Sequence, residues 1–433
     1  MDNNKLKINE KEINRTLLSG DKSDIESFYI EQVSTGSTVW QATVNICKCG
    51  IGSTLLFMPQ TFAAAGWLES ILLLFLTGMM CLYSWGLLIK VLDNMDDGIS
   101  HTLQTAAGKI LGKKFQILAE VVTLIFNLGS ILGCMIFILK ALSSVFGDSL
   151  DSSYKGYVVL SILVIIYFPF SMNRHIEKLS YISSFGVFAC NLAFITIIID
   201  SIYIIYTNGI ASSCGTVGSN IINFGQVPFY FGVIMFAFDI NGIITDVHSS
   251  MIEKEKFGLI LQRYMIFMIS MAAAVGGIAY MAFGLPLKDG ELIFTFMDNL
   301  SHFIDVLNVL YSLALLGSFL LCAFPMFRRF DQLCDHFIEN NPIKFVSRSS
   351  FRLFFYVIIM TLAISWPKIL DVVNLLGSLF SVTLGFIFPI TLYQVFFKGL
   401  IPLYTQIINI TILTLGIVGG ACGVYSTLSS NFF

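Results

Sequence analysis

Residues 45–66 read NICKCGIGSTLLFMPQTFAAAG, an apolar stretch of membrane length with Gly50, Gly52 and Pro59 set into it. An uninterrupted apolar helix would serve merely to cross a bilayer. Here glycine and proline weaken the helix, while Lys48, Cys49, Ser53 and Thr54 bring polar groups to the same depth. Irregular backbone in hydrocarbon is tolerated only where protein or a water-filled cavity satisfies the freed amides and carbonyls. A broken first span over 39–65 therefore predicts a binding site inside the membrane, an arrangement typical of carriers.

The composition agrees with a chain that lives in lipid. Of 433 residues, 56% are apolar and only 12% charged, against about 25% charged in soluble domains. The net charge of −3 and the lack of a long basic run give no sign of a nucleic-acid partner. Residues 1–38 form a polar tail without the apolar core of a cleavable signal. Most of the nine cysteines sit inside apolar segments, and neither CxxC pairs nor histidines at metal-ligand spacing occur. No metal and no cofactor is expected. No HExxH, paired-aspartate or nucleophile-elbow pattern appears in or near the spans, so an enzyme is not expected.

A hydrocarbon core of about 30 Å needs about 20 apolar residues per helix. On that measure eleven spans are predicted, near 39–65, 69–91, 115–146, 156–172, 179–206, 225–248, 259–283, 301–327, 351–366, 371–397 and 403–428. With this count most lysines and arginines collect on the side of the N-terminal tail. The positive-inside bias then places the N-terminus in the cytosol and the C-terminus outside the cell or in a lumen. Segment 108–120 reads as an interfacial helix leading into the third span, and loop 328–350 as a short amphipathic helix.

The breaks suggest an internal symmetry. Span six, VPFYFGVIMFAFDINGIITDVH over 227–248, is interrupted at Asp239–Gly242. It comes five spans after the broken span one, an odd offset, so the halves would lie upside down relative to each other. The expected fold is therefore all-α, with a first repeat over 39–206, a second over 225–397 and an extra helix over 403–428.

Unwinding a helix in mid-membrane exposes amides at one new end and carbonyls at the other. The amides, at the positive end of a half-helix dipole, suit a carboxylate. In span one those near Gly52, Ser53 and Thr54 would face it, while carbonyls near Ile46, Cys47 and Lys48 would face a cation or amine. Cys49, Gly50 and Ile51 complete this candidate substrate site, although Gly50 and Gly52 alone would equally serve close helix packing. In span six Asp239 lies deep in an apolar run. A charge there costs at least about 2.5–3.5 kcal/mol, so it should face a cavity, a partner or a proton. Phe236, Phe238, Asn241 and Gly242 would bound the pocket. Lys48 could pair with Asp239 across the cavity, or bond backbone carbonyls instead. Glu120 and Asn127 in span three, Asp200 in span five and Asp305 in span eight rank lower. Ser312 and Ser318 offer oxygens to sodium, but isolated serines in such helices commonly bond their own backbone. Asn299 begins a glycosylation pattern close to span eight.

At these residues the chain resembles the amino acid/auxin permease family of the amino acid–polyamine–organocation superfamily, closest to its proton-coupled branch. The resemblance covers 38–428 and rests on three stretches. In span one it maps onto Lys48, Gly52, Ser53, Leu55, Leu56, Pro59 and Gly66. In span six it maps onto Phe238, Asp239 and Met251, and over 372–393 onto Gly377 and Pro389. Thr54 stands where the family's second turn glycine is usual, and Ile240 and Asn241 lengthen the acid-to-glycine spacing. The resemblance implies transport of neutral amino acids by alternating access. Spans one, two, six and seven would rock against the rest, with Asp239, Lys48 and Glu120 as proton-coupling candidates. Sodium coupling, or a sensor of the same fold that moves nothing, are the alternatives. The plasma membrane and a vacuolar or lysosomal membrane both fit.

Overall fold

The computed structural model describes residues 37–50, 52–95, 102–145, 176–214, 225–289, 293–297, 301–337, 341–365 and 368–432. Among them the chain is helical, apart from one isolated parallel bridge between Ser37 and Met251. Eight described helical segments are long and apolar enough to cross a membrane, and the protein is multi-pass. The expected fourth span, 156–172, and the Asn299 pattern lie outside the described residues.

Span one is divided as its glycines and proline suggest. Helix α1 (Val39–Gly50) ends at the break, a 3-10 turn (Ser53–Phe57) follows, and α2 (Met58–Ala65) resumes with Pro59 in its first turn. Proline is tolerated there because the first-turn amides have no intrahelical acceptor anyway. Helix α3 (Trp67–Asp93) then crosses. The expected interfacial helix is displaced: α4 (Leu103–Leu111) opens on a Thr102–Thr105 capping box, and the chain turns at Gly112 with φ 98°. Lys113 already starts the next crossing helix, α5 (Lys113–Val145).

Helix α6 (Ile176–Asn208) precedes span six, which is also divided, into α7 (Val227–Ala237) and α8 (Asn241–Ser250). Helices α9 (Phe257–Phe283), α10 (Ser301–Phe337) and α11 (Asn341–Ser365) follow. Loop 328–350 is thus not a separate amphipathic helix, because α10 runs on to Phe337 and α11 starts at Asn341. A buried charge cluster joins these extensions: Arg352 donates to Asp331 at 2.9 Å, Arg348 lies 3.5 Å from the same carboxylate, and the Arg352 guanidinium sits 5.3 Å from the Phe327 ring centre.

The segment 369–396 crosses without a gap but not as a uniform α-helix. Helix α12 (Ile369–Leu375) passes into π turns at Leu376–Ser381 and Thr383–Ile387 before α13 (Phe388–Phe396). The last helix is α14 (Leu403–Phe432). The core places the broken span six at the centre: α7 packs on the π turns, on α12 and on α14, while α5, α6 and α10 pack together as a neighbouring group. Gly377 makes the closest of these contacts possible, since a Cβ there would lie 1.8 Å from the Gly232 carbonyl oxygen. Only glycine permits such an approach.

Candidate functional site

One tyrosine touches both breaks. Tyr264 of α9 is fully buried, and its hydroxyl donates to the Phe238 carbonyl at 3.4 Å, where α7 has just ended. Its ring lies over Gly50, the last residue of α1, where a Cβ would come within 2.3 Å of ring atoms. Gly50 is therefore required by close approach to a neighbour. Gly52 adopts extended backbone (φ −128°, ψ 178°), open to any residue, and a Cβ there would meet nothing within 4 Å. Thr54, in the family's usual glycine position, is buried in the 3-10 turn. Ile51 and the side chains of Lys48, Cys49 and Ser53 lie outside the described residues, and so does any pairing of Lys48 with Asp239.

The break in span six sits at Phe238–Ile240, just before Gly242. Gly242 lies inside α8, with open space around its would-be Cβ, so the interruption is not its work. The side chain of Asp239 supplies the missing order. Its Oδ1 accepts the backbone N–H of Asn241 at 2.8 Å and the side-chain amide of Asn241 at 2.9 Å. This local turn, in which an aspartate bonds the backbone two residues on, competes with helix continuation and satisfies an amide at the new helix start. The carboxylate also lies at the positive end of the α8 dipole. Trp85 of α3 fixes the arrangement, donating through Nε1 to the Asn241 side-chain oxygen at 2.9 Å. The ring of Trp85 lies 6.1 Å from that of Tyr264, so the polar chain closes back on the tyrosine.

One oxygen of this network stays open. Asp239 Oδ2 is buried, with no protein group in hydrogen-bonding geometry. The Ser381 hydroxyl, buried on the first π turn, lies beside the carboxylate as its nearest side-chain donor, short of full hydrogen-bonding geometry. Cys81 of α3 is near the same acid, and its thiol contacts the Met235 sulfur at 3.9 Å. The side chain of Phe238 is fully buried, and the Phe236 ring packs against Phe126 at 5.4 Å.

The structure gathers Gly50, Phe238, Asp239 and Asn241 around Tyr264 and Trp85, which the sequence pattern did not single out. Glu120 bonds Gln116, four residues earlier on its own helix, at 3.1 Å. Ser312 donates to the Asn308 carbonyl at 2.7 Å, the backbone bond anticipated for an isolated serine. Asp200 is 3% exposed, with its Oδ2 lacking a hydrogen-bond partner, whereas Asn127 and Asp305 are half-buried.

A family model described as transmembrane amino acid transporter protein matches residues 35–429. The chain belongs to this transmembrane amino acid transporter family. The similar protein AVT1E, an amino acid transporter of Arabidopsis thaliana, is 24% identical over 446 residues, covering 98% of this chain and 81% of that protein. Amino acid transporter AVT3B of the same organism is 24% identical over 417 residues, covering 92% and 94%. Vacuolar amino acid transporter 3 of Saccharomyces cerevisiae is 25% identical over 368 residues, covering 82% and 51%. The family and these relatives are transporters, not enzymes.

Proposed function

We propose that this transmembrane amino acid transporter family member carries neutral amino acids by alternating access and couples their movement to protons through Asp239. The observation that carries the reading is the buried, unpartnered Oδ2 of Asp239 at the break of span six. A carboxylate held there by Asn241 through one oxygen leaves the other to take and release a proton. Tyr264, Trp85, Phe238 and Met235 make the surroundings aromatic and apolar, which suits an uncharged side chain. The amides after the span-one break, near Gly52, Ser53 and Thr54, would take the substrate carboxylate. Lys48 and Glu120 are secondary stations for the proton.

The reading includes an eleven-span chain in which 39–206 and 225–397 form inverted repeats and 403–428 is added. The N-terminus is cytosolic, and the membrane is of vacuolar type, as the name of the yeast relative suggests. Purified protein in vesicles, tested with labelled neutral amino acids under an imposed pH gradient, provides the experiment. Wild-type uptake follows the gradient, and Asp239→Asn removes the pH dependence. Proton-driven uptake that survives Asp239→Asn overturns the role of this residue. Uptake that ignores pH but collapses when sodium is replaced by choline overturns proton coupling itself.

A further inference from the structure

The π-helical segment follows the break of span six step by step. Gly377 meets it first, where a Cβ would lie 3.0 Å from the Phe236 amide nitrogen. Gly385 meets it last, where a Cβ would lie 3.3 Å from the Asn241 side-chain nitrogen. Ser381 stands midway, four residues from each, and so falls opposite Asp239. Widened turns of this kind inside α-helices are frequent at functional sites. Here they keep one row of residues, 377, 381 and 385, against a neighbour whose own backbone has come apart. The glycines at the two ends of the row let the backbones close in, and the residue between them carries a hydroxyl.

Both the Ser381 hydroxyl and Asp239 Oδ2 are buried, and neither has a partner in hydrogen-bonding geometry. A buried polar group without a partner normally costs stability, and two such groups side by side are poised to bond each other. We propose that Ser381 is the positioning residue that holds Asp239 Oδ2 in both of its protonation states. A hydroxyl suits the task because it donates and accepts. When the carboxylate is ionised, Ser381 donates its O–H to Oδ2. When Oδ2 carries the proton, the carboxylic acid donates to the Ser381 oxygen, and the serine rotates its own hydrogen away. Asn241 keeps Oδ1 throughout, so the proton has a defined address. This inference rests on Asp239 being the coupling residue.

The test measures amino acid uptake by vesicles containing the full chain across a series of pH values, for wild type, Ser381→Ala, Ser381→Thr, Ser381→Cys and Asp239→Asn. The bond to an ionised acceptor is the stronger of the two, so alanine withdraws more support from the ionised form. The midpoint of the Ser381→Ala profile is expected to move to higher pH by about one unit. Ser381→Thr restores the wild-type midpoint. Ser381→Cys, similar in size but a weak donor, falls between them, and it decides the matter if the alanine variant does not reach the membrane. A residue that merely packs would lower the rate without moving the midpoint. Superimposable wild-type, alanine and cysteine profiles, with Asp239→Asn pH-independent, overturn the role of Ser381 alone. A pH dependence that survives Asp239→Asn removes the coupling role and this inference together.

Discussion

The two halves of span one are built from one apolar stretch and packed in opposite ways. All eight residues of α2 are buried, against α9, α3 and the 3-10 turn Leu285–Asp289. Helix α1 packs on α8 and α9 and leaves Trp40 74% exposed, with Gln41 and Asn45 exposed on the same face. A cleft of about 410 Å³ runs along Ser37, Trp40, Gln41, Val44 and Asn45. The distinction matters because a half-helix buried on all sides is expensive to move, whereas one held along a single stripe is not. The break thus separates a half buried on all sides from a half packed along a single stripe, with Gly50 and Tyr264 at the joint.

The most damaging change is placed at that joint. Gly50→Ala forces a methyl into the Tyr264 ring, and overpacking of a tight core costs about 1–3 kcal/mol. Displacing the ring also takes its hydroxyl from the Phe238 carbonyl. Uptake per molecule in the membrane is expected to fall at least about ten-fold, the rate equivalent of 1.4 kcal/mol. Wild-type uptake by Gly50→Ala would mean that the joint is looser than the described contacts make it. Gly52→Ala is the matched control and should be mild, since nothing stands within 4 Å of its Cβ.

A second measurement asks the comparison directly. Single cysteines placed at Trp40 and Asn45, in a background without the native ones, should react rapidly with a membrane-impermeant thiol reagent from the N-terminal side. Cysteines at Thr61 and Phe62, both buried in α2, should react at least about ten-fold more slowly from either side, with opening energies of buried elements as the basis. Equal reactivity of the two halves would mean that they are packed alike.

How far the sequence reveals this arrangement depends on which partners are near in the chain. The break of span one is legible because glycine, proline and polar residues interrupt an apolar run within a few positions. The break of span six is legible in place but not in cause: Gly242 draws the eye, while the turn is made by Asp239 bonding Asn241 two residues later. Trp85, Tyr264 and Ser381 carry no signal at all. Each reads as one more aromatic or small polar residue in a membrane helix, and the bonds that give it meaning reach helices far away in sequence. The interfacial helix is misplaced for a similar reason, since the Thr102–Thr105 capping box starts it earlier and Gly112 ends it earlier than the charge pattern suggests.

The smallest expected effect concerns the bridge at the start of α1. Ser37, just before α1, donates its N–H to the Ser250 carbonyl at 2.8 Å and accepts from the Ile252 amide at 3.2 Å, while its hydroxyl approaches Ser250 at 3.2 Å. The same end of α8 carries His248, whose Nε2 lies 3.1 Å from the Asp93 carboxylate of α3. The start of α1 is therefore tied to the end of α8, and α8 to α3. Ser37→Ala removes an exposed side-chain bond and leaves both backbone bonds. Such a bond contributes at most about 1 kcal/mol, and water replaces it at an exposed site, so the apparent KM should change less than about two-fold. Ser37→Pro deletes the N–H donor itself and should change it more than alanine does. If proline and alanine act alike, the backbone bridge does not restrain the half-helix, and the coupling of α1 to α8 must reside in their side-chain packing alone.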